Sequence, residues 1–230
     1  MRALRWLSPT ASPEAFPPAS EALTEPNGLL AAGGDLQPTR LLAAYARGIF
    51  PWYEEGQPIL WWSPDPRAVL WPDGLKVSRS LRRSLNNPRF EFRVDTAFDS
   101  VVAACAEPRH YGGGTWITAD VARAYGHLHQ LGWAHSFETW ADGTLVGGLY
   151  GVAIGRVFFG ESMFTRATDA SKVALVRGID FLRERRFALI DCQVASAHIT
   201  SLGAVTIPLA TFLRLLAEFC DPPDTAQSWR

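Results

Sequence analysis

Between Ala134 and Val194 the chain alternates apolar segments and breaks in an order that few topologies accept. HSFETW, TLVGGLYGVAI and RVFFGESMF read as three strands, with turns at Ala141-Asp142-Gly143 and near Gly155. The segment DASKVALVRGIDFLRERR follows as a long helix with Leu175, Ile179 and Leu182 on one face. ALIDCQV is then a short apolar strand, central and buried. Strands joined by tight turns, followed by a helical crossover to another strand, call for a mixed α/β sheet.

The flanking segments extend the pattern. SRSLRRSLNNP reads as a short basic helix ended near Asn87-Pro88, RFEFRV as a strand and TAFDSVVAACAE as a helix. TADVARAYGHLHQLG is another helix, with Thr118 as N-cap and Gly132 just past its end. ASAHITSLGA and PLATFLRLLAEF close the chain as helical pieces. The order β-α-α-β-β-β-α-β-α resembles the N-acyltransferase fold of the acetyltransferase superfamily, a likeness that by itself establishes no function.

The part before about Arg67 reads as irregular, Pro- and Gly-rich, with one clear helix. That helix is LQPTRLLAAYARG, with Pro38 near its start and Gly48 past its end. We therefore expect a small N-terminal domain over residues 1–66 and a larger one over 67–230. The stretch RGIFPWYEEGQPILWWSPDPRAVLW holds four of the nine tryptophans. Prolines and glycines at that density rule out one long helix. The stretch is either a plug of buried aromatics or a shaped surface for a flat group such as a nucleobase.

Apolar residues make up 47% and charged residues 20% of the 230, the balance of a globular protein with a sizeable core. A net charge of −1 gives no global attraction to polyanions, so nucleic-acid contact would need a local basic patch. No apolar run approaches the length of a membrane span, and MRALRWLSPTASPEAFPP lacks the apolar core of a signal peptide. A cytoplasmic protein is expected. Cys105, Cys192 and Cys220 lie far apart, and His127 and His129 fall on different helix faces, so neither a disulfide framework nor a metal site is indicated.

Three strings and one basic cluster carry possible chemistry. GESMFTR puts Glu161 at what reads as the end of an apolar strand, a position suited to a ligand crevice. Its alternative role is an exposed charge or a partner for Arg166. In LIDCQV, Asp191 and Gln193 stand two apart in an apolar strand, so strict alternation sets both on one face and Cys192 on the other. Burying them without partners costs several kcal/mol, so they must meet each other, a helix end or a substrate. A purely structural network is the competing reading, and Cys192 as nucleophile with His198 as base is a weaker one. GGGTWIT offers Gly112, Gly113 and Gly114 for close backbone approach or a mobile loop, without a phosphate-binding motif. Arg79, Arg82 and Arg83 share one helix face by their spacing, as a phosphate-backbone contact or an ordinary solvated face.

Taken together, EPNGLLAAGGDL, RGIFPW, LWWSPDPRAVLWP, GTWIT, LVGGLYG, GESMF, ASK, IDCQV and SLGA resemble, in order, the leucyl/phenylalanyl-tRNA–protein transferases. The resemblance covers the chain from about Phe16 to Pro208. It implies a small N-terminal domain and an acyltransferase-fold catalytic domain. It also implies an aminoacyltransferase that moves Leu or Phe, and less well Met, from aminoacyl-tRNA to proteins with N-terminal Arg or Lys. Such transfer marks them for N-end-rule degradation. No metal, ATP or coenzyme is implied, and a monomer is expected.

By the same resemblance Gln193 contacts the attacking α-amine through its carbonyl oxygen, Asp191 orients that amide, and Glu161 meets the acceptor's cationic side chain. Trp52 and Trp116 lie near the terminal adenosine, with Trp61, Trp62 and Trp71 packing between the domains. Leu149, Met163, Leu175 and Ile190 wall the donor side-chain pocket, and Arg79, Arg82 and Arg83 contact the tRNA. The chain departs from the family pattern at Gly178, where an aromatic pocket residue is expected and a wider pocket would follow. Ser196 replaces a common Asn, and NNPR replaces a more cationic run. The alternatives are a non-catalytic RNA-binding module and a coenzyme-A acetyltransferase. The latter is disfavoured because FTRATDASK lacks the glycines of a pyrophosphate turn.

Overall fold

The computed structural model describes residues 4–108, 116–220 and 229. Its larger sheet has seven strands. Three of them, β7 (Ala134–Ala141), β8 (Thr144–Ile154) and β9 (Val157–Thr165), form the expected antiparallel meander. Asp142 and Gly143 turn the first hairpin with positive φ, as tight hairpins require. The strand β6 (Phe90–Val94) pairs outside β7, and the crossover helix α5 (Ala170–Glu184) returns the chain to β10 (Leu189–Gln193), parallel to β9. The mixed sheet is as the strand order predicts.

Two strands of this sheet escaped the sequence reading. The first, β5 (Arg67–Leu70), lies inside the Trp-Pro stretch, and β11 (Val205–Ile207) lies between two segments read as helical, α6 (Ala197–Ser201) and α7 (Leu209–Phe219). Both are antiparallel additions beyond β10, giving the order β11-β5-β10-β9-β8-β7-β6. Strands of three or four residues show no usable alternation. They make β10 interior, as its apolar run required.

The N-terminal part is more regular than expected. A second sheet is built from β1 (Arg5–Leu7), β2 (Leu29–Gly33), β3 (Phe50–Pro51) and β4 (Leu60–Trp62), in the order β1-β2-β4-β3. Its strands are short and interrupted by Pro and Gly, which hides the period. The helix α1 (Pro38–Tyr45) is as expected, with Pro38 first and Gly48 at φ 72° beyond its end. The remaining helices α2 (Arg79–Leu85), α3 (Phe98–Ala106) and α4 (Ala119–Gln130) match the predicted segments, and Ser78 and Thr118 cap α2 and α4.

Two apolar clusters sit on opposite faces of the large sheet. One unites α1, α3, α4 and α7 with the small sheet, and includes Tyr45, Trp61, Val101, Tyr125, Tyr150, Phe159 and Phe212. The other lies under α5, with Phe137, Leu149, Phe158, Ile179 and Ile190. Trp61 is fully buried in the first and donates its Nε1–H to the Gly33 carbonyl, while Trp62 and Trp71 pack against it. Gly147 is required where α5 starts, because a Cβ there would lie 2.6 Å from the Ala170 backbone. Among the described residues no helix is long and apolar enough to cross a membrane.

Candidate active site

The site begins where two neighbouring strands part. The parallel pairing of β9 and β10 ends at Phe159–Asp191, although β9 runs on to Thr165 and β10 to Gln193. Each strand carries an irregularity just beyond that point. On β9, Gly160 and Ser162 face consecutive residues of β8, leaving Glu161 extra. On β10 the register to β5 shifts between Asp191 and Gln193, and Gln193 has a φ of 61°. Bulges bend a strand and re-aim its side chains, and ligands favour the carboxyl ends of parallel strands.

These bulges correct two expectations. Glu161 does not end a strand but sits within β9, and its extra residue returns Met163 to the face of Phe158. On β10, the bulge breaks the strict alternation that set Cys192 against Asp191 and Gln193. Asp191, Cys192 and Glu161 all border one opening.

On the face toward α1 and α4, the polar groups interlock. Asp191 is fully buried and takes a two-pronged contact from equally buried Arg67, with Nε to Oδ1 at 2.8 Å and Nη2 to Oδ2 at 2.6 Å. Arg67, which the sequence reading did not single out, also donates to the Gly48 carbonyl and lies between the rings of Phe50 and Phe212. Asp191 Oδ1 accepts the backbone N–H of Gln193 at 2.9 Å, which helps hold that residue in its left-handed conformation. The Gln193 side chain is directed elsewhere. Its Nε2–H donates to Glu161 Oε1 at 2.8 Å, so Glu161, rather than Asp191, orients the amide.

Glu161 accepts two further hydrogen bonds, from Tyr45 Oη at 2.7 Å and from Tyr125 Oη at 2.9 Å, and the two phenols touch each other. Glu161 as a whole residue is half-buried. Burial pushes its pKa up to about 7, opposed by the hydrogen bonds from the tyrosines and Gln193. Burial first, then the Glu161 charge, raises both phenols well above their ordinary value, so they remain donors at neutral pH. Arg166, the alternative partner of Glu161, instead pairs with Glu107. Among the described residues Glu161 has no ion pair.

Toward α5 the same strands line an apolar cavity of about 130 Å³. Leu149, Met163, Leu175 and Ile190, the four expected wall residues, all border it. Sheet register explains three of them: Phe137, Leu149 and Met163 are cross-strand neighbours in one row, and Phe158, Ile190 and Leu70 form a second. Leu175, Ile179 and Leu182 of α5, with Ile199 and Leu202, add to the apolar lining. Apolar cavities of about 150 Å³ take a benzene-sized ligand, so an aliphatic or phenyl side chain is the matching class. Phe137 and Phe158 were missed because a phenylalanine in an apolar strand carries no mark of its face. Gly178 does not itself border the cavity; the Phe137 ring lies against it and forms the wall there.

Other expected residues surround this centre. Trp52 is 48% exposed, with its ring 5.5 Å from that of Trp62, whose Nε1–H donates to the Trp52 carbonyl. Tyr53, the next residue, hydrogen-bonds Thr118, which brings the Trp52 and Trp116 segments together. Trp116 is half-buried, and Gly112, Gly113 and Gly114 lie outside the described residues. Arg79, Arg82 and Arg83 are all exposed on α2, whose Leu81 is buried beneath them. Burial pushes the Cys192 thiol up to about 12, which removes it as a nucleophile near neutral pH. Ser196 caps α6 through the Ile199 N–H. Among the described residues no cluster suited to a metal ion is present.

Comparison with known proteins bears on the whole chain. The family model described as leucyl/phenylalanyl-tRNA protein transferase matches residues 69–217, and the model of that family's N-terminal domain matches residues 34–65. A leucyl/phenylalanyl-tRNA–protein transferase of Aromatoleum aromaticum is 61% identical over 93% of this chain and 90% of its own. One from Stutzerimonas stutzeri is 59% identical over 94% of this chain and 95% of its own. Among solved structures, a GCN5-related N-acetyltransferase from Kribbella flavida is similar with a TM-score of 0.40 and 12% identity, over 74% of this chain and 60% of its own.

Proposed function

The chain belongs to the leucyl/phenylalanyl-tRNA protein transferase family, and from that premise we propose that it moves Leu or Phe, and less well Met, onto the α-amine of proteins beginning with Arg or Lys. It would act as a cytoplasmic monomer and mark such proteins for N-end-rule degradation. Residues 1–66 act as a small N-terminal domain and 67–230 as the catalytic one. The observation that carries the reading is the Gln193 amide. Glu161, which itself borders the apolar cavity, engages its Nε2–H, which turns the carbonyl oxygen away from Glu161 and frees it for an amine N–H.

The chemistry balances without a cofactor. A neutral α-amine, with an ordinary pKa of about 7.7–8.0, attacks the aminoacyl ester carbon. The bond to the ribose 3′-oxygen breaks as the peptide C–N bond forms, and the amine's proton leaves with that oxygen. Gln193 Oε1 orients the amine; an amide is too weak a base to keep the proton. The ester is already activated, so positioning supplies most of the acceleration. Asp191 acts on Gln193 through its backbone. The Glu161 charge suits the acceptor's guanidinium or ammonium group.

The donor's Leu or Phe side chain enters the cavity bordered by Leu149, Met163, Leu175 and Ile190, where Met163 adapts to either shape. Trp52 and Trp116 flank the terminal adenosine, with stacking on the order of 1–3 kcal/mol per base. Arg79, Arg82 and Arg83 contact the tRNA backbone.

Transfer of labelled Leu from Leu-tRNA to a peptide starting with Arg or Lys, with no added cofactor, tests the reaction. Gln193→Ala is expected to lower kcat about a hundredfold, the size of loss that misplacing a reacting group causes, and to leave tRNA affinity unchanged. RNA binding with no transfer by the folded wild-type protein would favour the RNA-binding module instead.

A further inference from the structure

The wall of the donor cavity nearest β7 is one phenyl ring, and its surroundings are unusual. Phe137 is 1% exposed, borders the cavity, and stands in the same cross-strand row as Leu149 and Met163. Away from the cavity it is enclosed by rings. Its centroid lies 6.1 Å from Phe92, 5.7 Å from Phe181 and 5.6 Å from Trp229. Trp229 is itself buried and stacks on His135 with centroids 3.6 Å apart. His135 is pinned in turn, with Nδ1 at 2.8 Å from Asp95 Oδ2 and Nε2 at 3.1 Å from the Gly132 carbonyl. The rings form a braced stack whose open end is the cavity.

The helix side of Phe137 is equally specific. A Cβ built on Gly178 would lie 2.5 Å from Phe137 Cδ2, closer than real Cβ contacts come. The ring therefore reaches its position only because α5 presents a glycine there. Gly178 is fully helical, so the requirement is for space rather than for an unusual backbone.

We infer that Phe137 is the length stop of the donor cavity, held there by Gly178 on one side and Trp229 behind, and that this trio sets the choice between Leu and Phe donors. The inference rests on the cavity being the donor side-chain site. With Phe92, Phe181 and Trp229 occupying the other directions, a methyl added at 178 displaces the ring toward the open volume. Shortening the ring, or removing the indole that braces it, deepens the same volume. Phe is longer than Leu, so the two donors respond in opposite senses to depth. A change of one methylene in an apolar pocket typically shifts discrimination about 10–200-fold.

The test compares kcat/KM for Leu-tRNA and Phe-tRNA in the wild-type protein and in Gly178→Ala, Phe137→Leu and Trp229→Leu, with thermal melting to follow folding. The ratio of the two donors is independent of the fraction of protein folded, so a variant of lowered stability still reports. Gly178→Ala is expected to lower the Phe/Leu ratio about tenfold or more, and Phe137→Leu to raise it by a similar factor. Trp229→Leu is expected to raise it less. A ratio that stays constant in both the Gly178 and the Phe137 variants overturns the inference while transfer persists. A wild-type protein that transfers neither donor instead overturns the donor-site reading on which it rests.

Discussion

On the face of β9 and β10 turned toward α1 and α4, each polar side chain of the site has a fixed partner. On the face turned toward α5, the same two strands border an apolar cavity. The polar face is specified by directional contacts: Arg67 on Asp191, Tyr45, Tyr125 and Gln193 on Glu161. The apolar face is specified by shape, through sheet register and the packing of Phe137, Met163 and Leu175. The difference teaches that chemistry and substrate choice are separable here. Breaking a partner on the polar face strands a charge, whereas reshaping the apolar face redistributes volume.

The largest effect that tests this contrast comes from Arg67→Met. It leaves the Asp191 carboxylate buried without its cation, and the loss of one partner of a buried pair costs about 3–5 kcal/mol. Denaturant unfolding is expected to show that loss. A loss near that of a surface substitution would mean the polar face is not interlocked. Asp191→Ala strands Arg67 in the same way, so a fall in its turnover mixes folding with catalysis, and Gln193→Ala is the cleaner probe of the chemistry.

Next in size is the pH response of Glu161, whose pKa is raised to about 7. The folded state then binds a proton more tightly than the unfolded chain. Stability from this group is full below its unfolded pKa and is lost as pH rises through about 7. Each tenfold difference in proton affinity between the two states is worth about 1.4 kcal/mol, so the loss is on the order of 3 kcal/mol. Melting curves should show Glu161→Gln removing that slope. Activity should move the other way, since only ionised Glu161 must receive the Gln193 Nε2–H. In Glu161→Gln the rise of kcat through about pH 7 should disappear, leaving the rise set by the α-amine. An unchanged profile would break the link between Glu161 and the amide.

The smallest expected effect lies on the apolar face. Met163→Leu keeps nearly the same volume, and swaps of this kind usually cost less than about 1.5 kcal/mol. It should leave the melting temperature almost in place while altering relative use of Met-, Leu- and Phe-tRNA. A stability loss as large as that of Arg67→Met would erase the distinction between the faces.

Much of this was legible in the sequence. The β7–β9 meander, α5 and β10 stood out because long alternating or helical periods survive local noise, and the cap at Thr118 followed from residue type. LIDCQV announced its site because Asp and Gln are conspicuous in an apolar run. Arg67 gave no such signal: it sits after Pro66 in a stretch dominated by tryptophan, and its partner is 124 residues away. Tyr45 and Tyr125 lie in two separate helices with nothing in their local sequence to mark them, and only their convergence on Glu161 gives them a polar task.

By itself, then, the sequence determined the mixed sheet, the helices and the identity of the polar pair on β10, because these depend on local period and residue chemistry. Only the tertiary structure decided which groups meet. The bulges at Glu161 and Gln193 depend on pairing with β8 and β5, and a one-residue shift of register moves side chains between faces. The partner of Asp191, the orienter of Gln193 and the ring lying on Gly178 are long-range facts, fixed by how separate strands and helices pack.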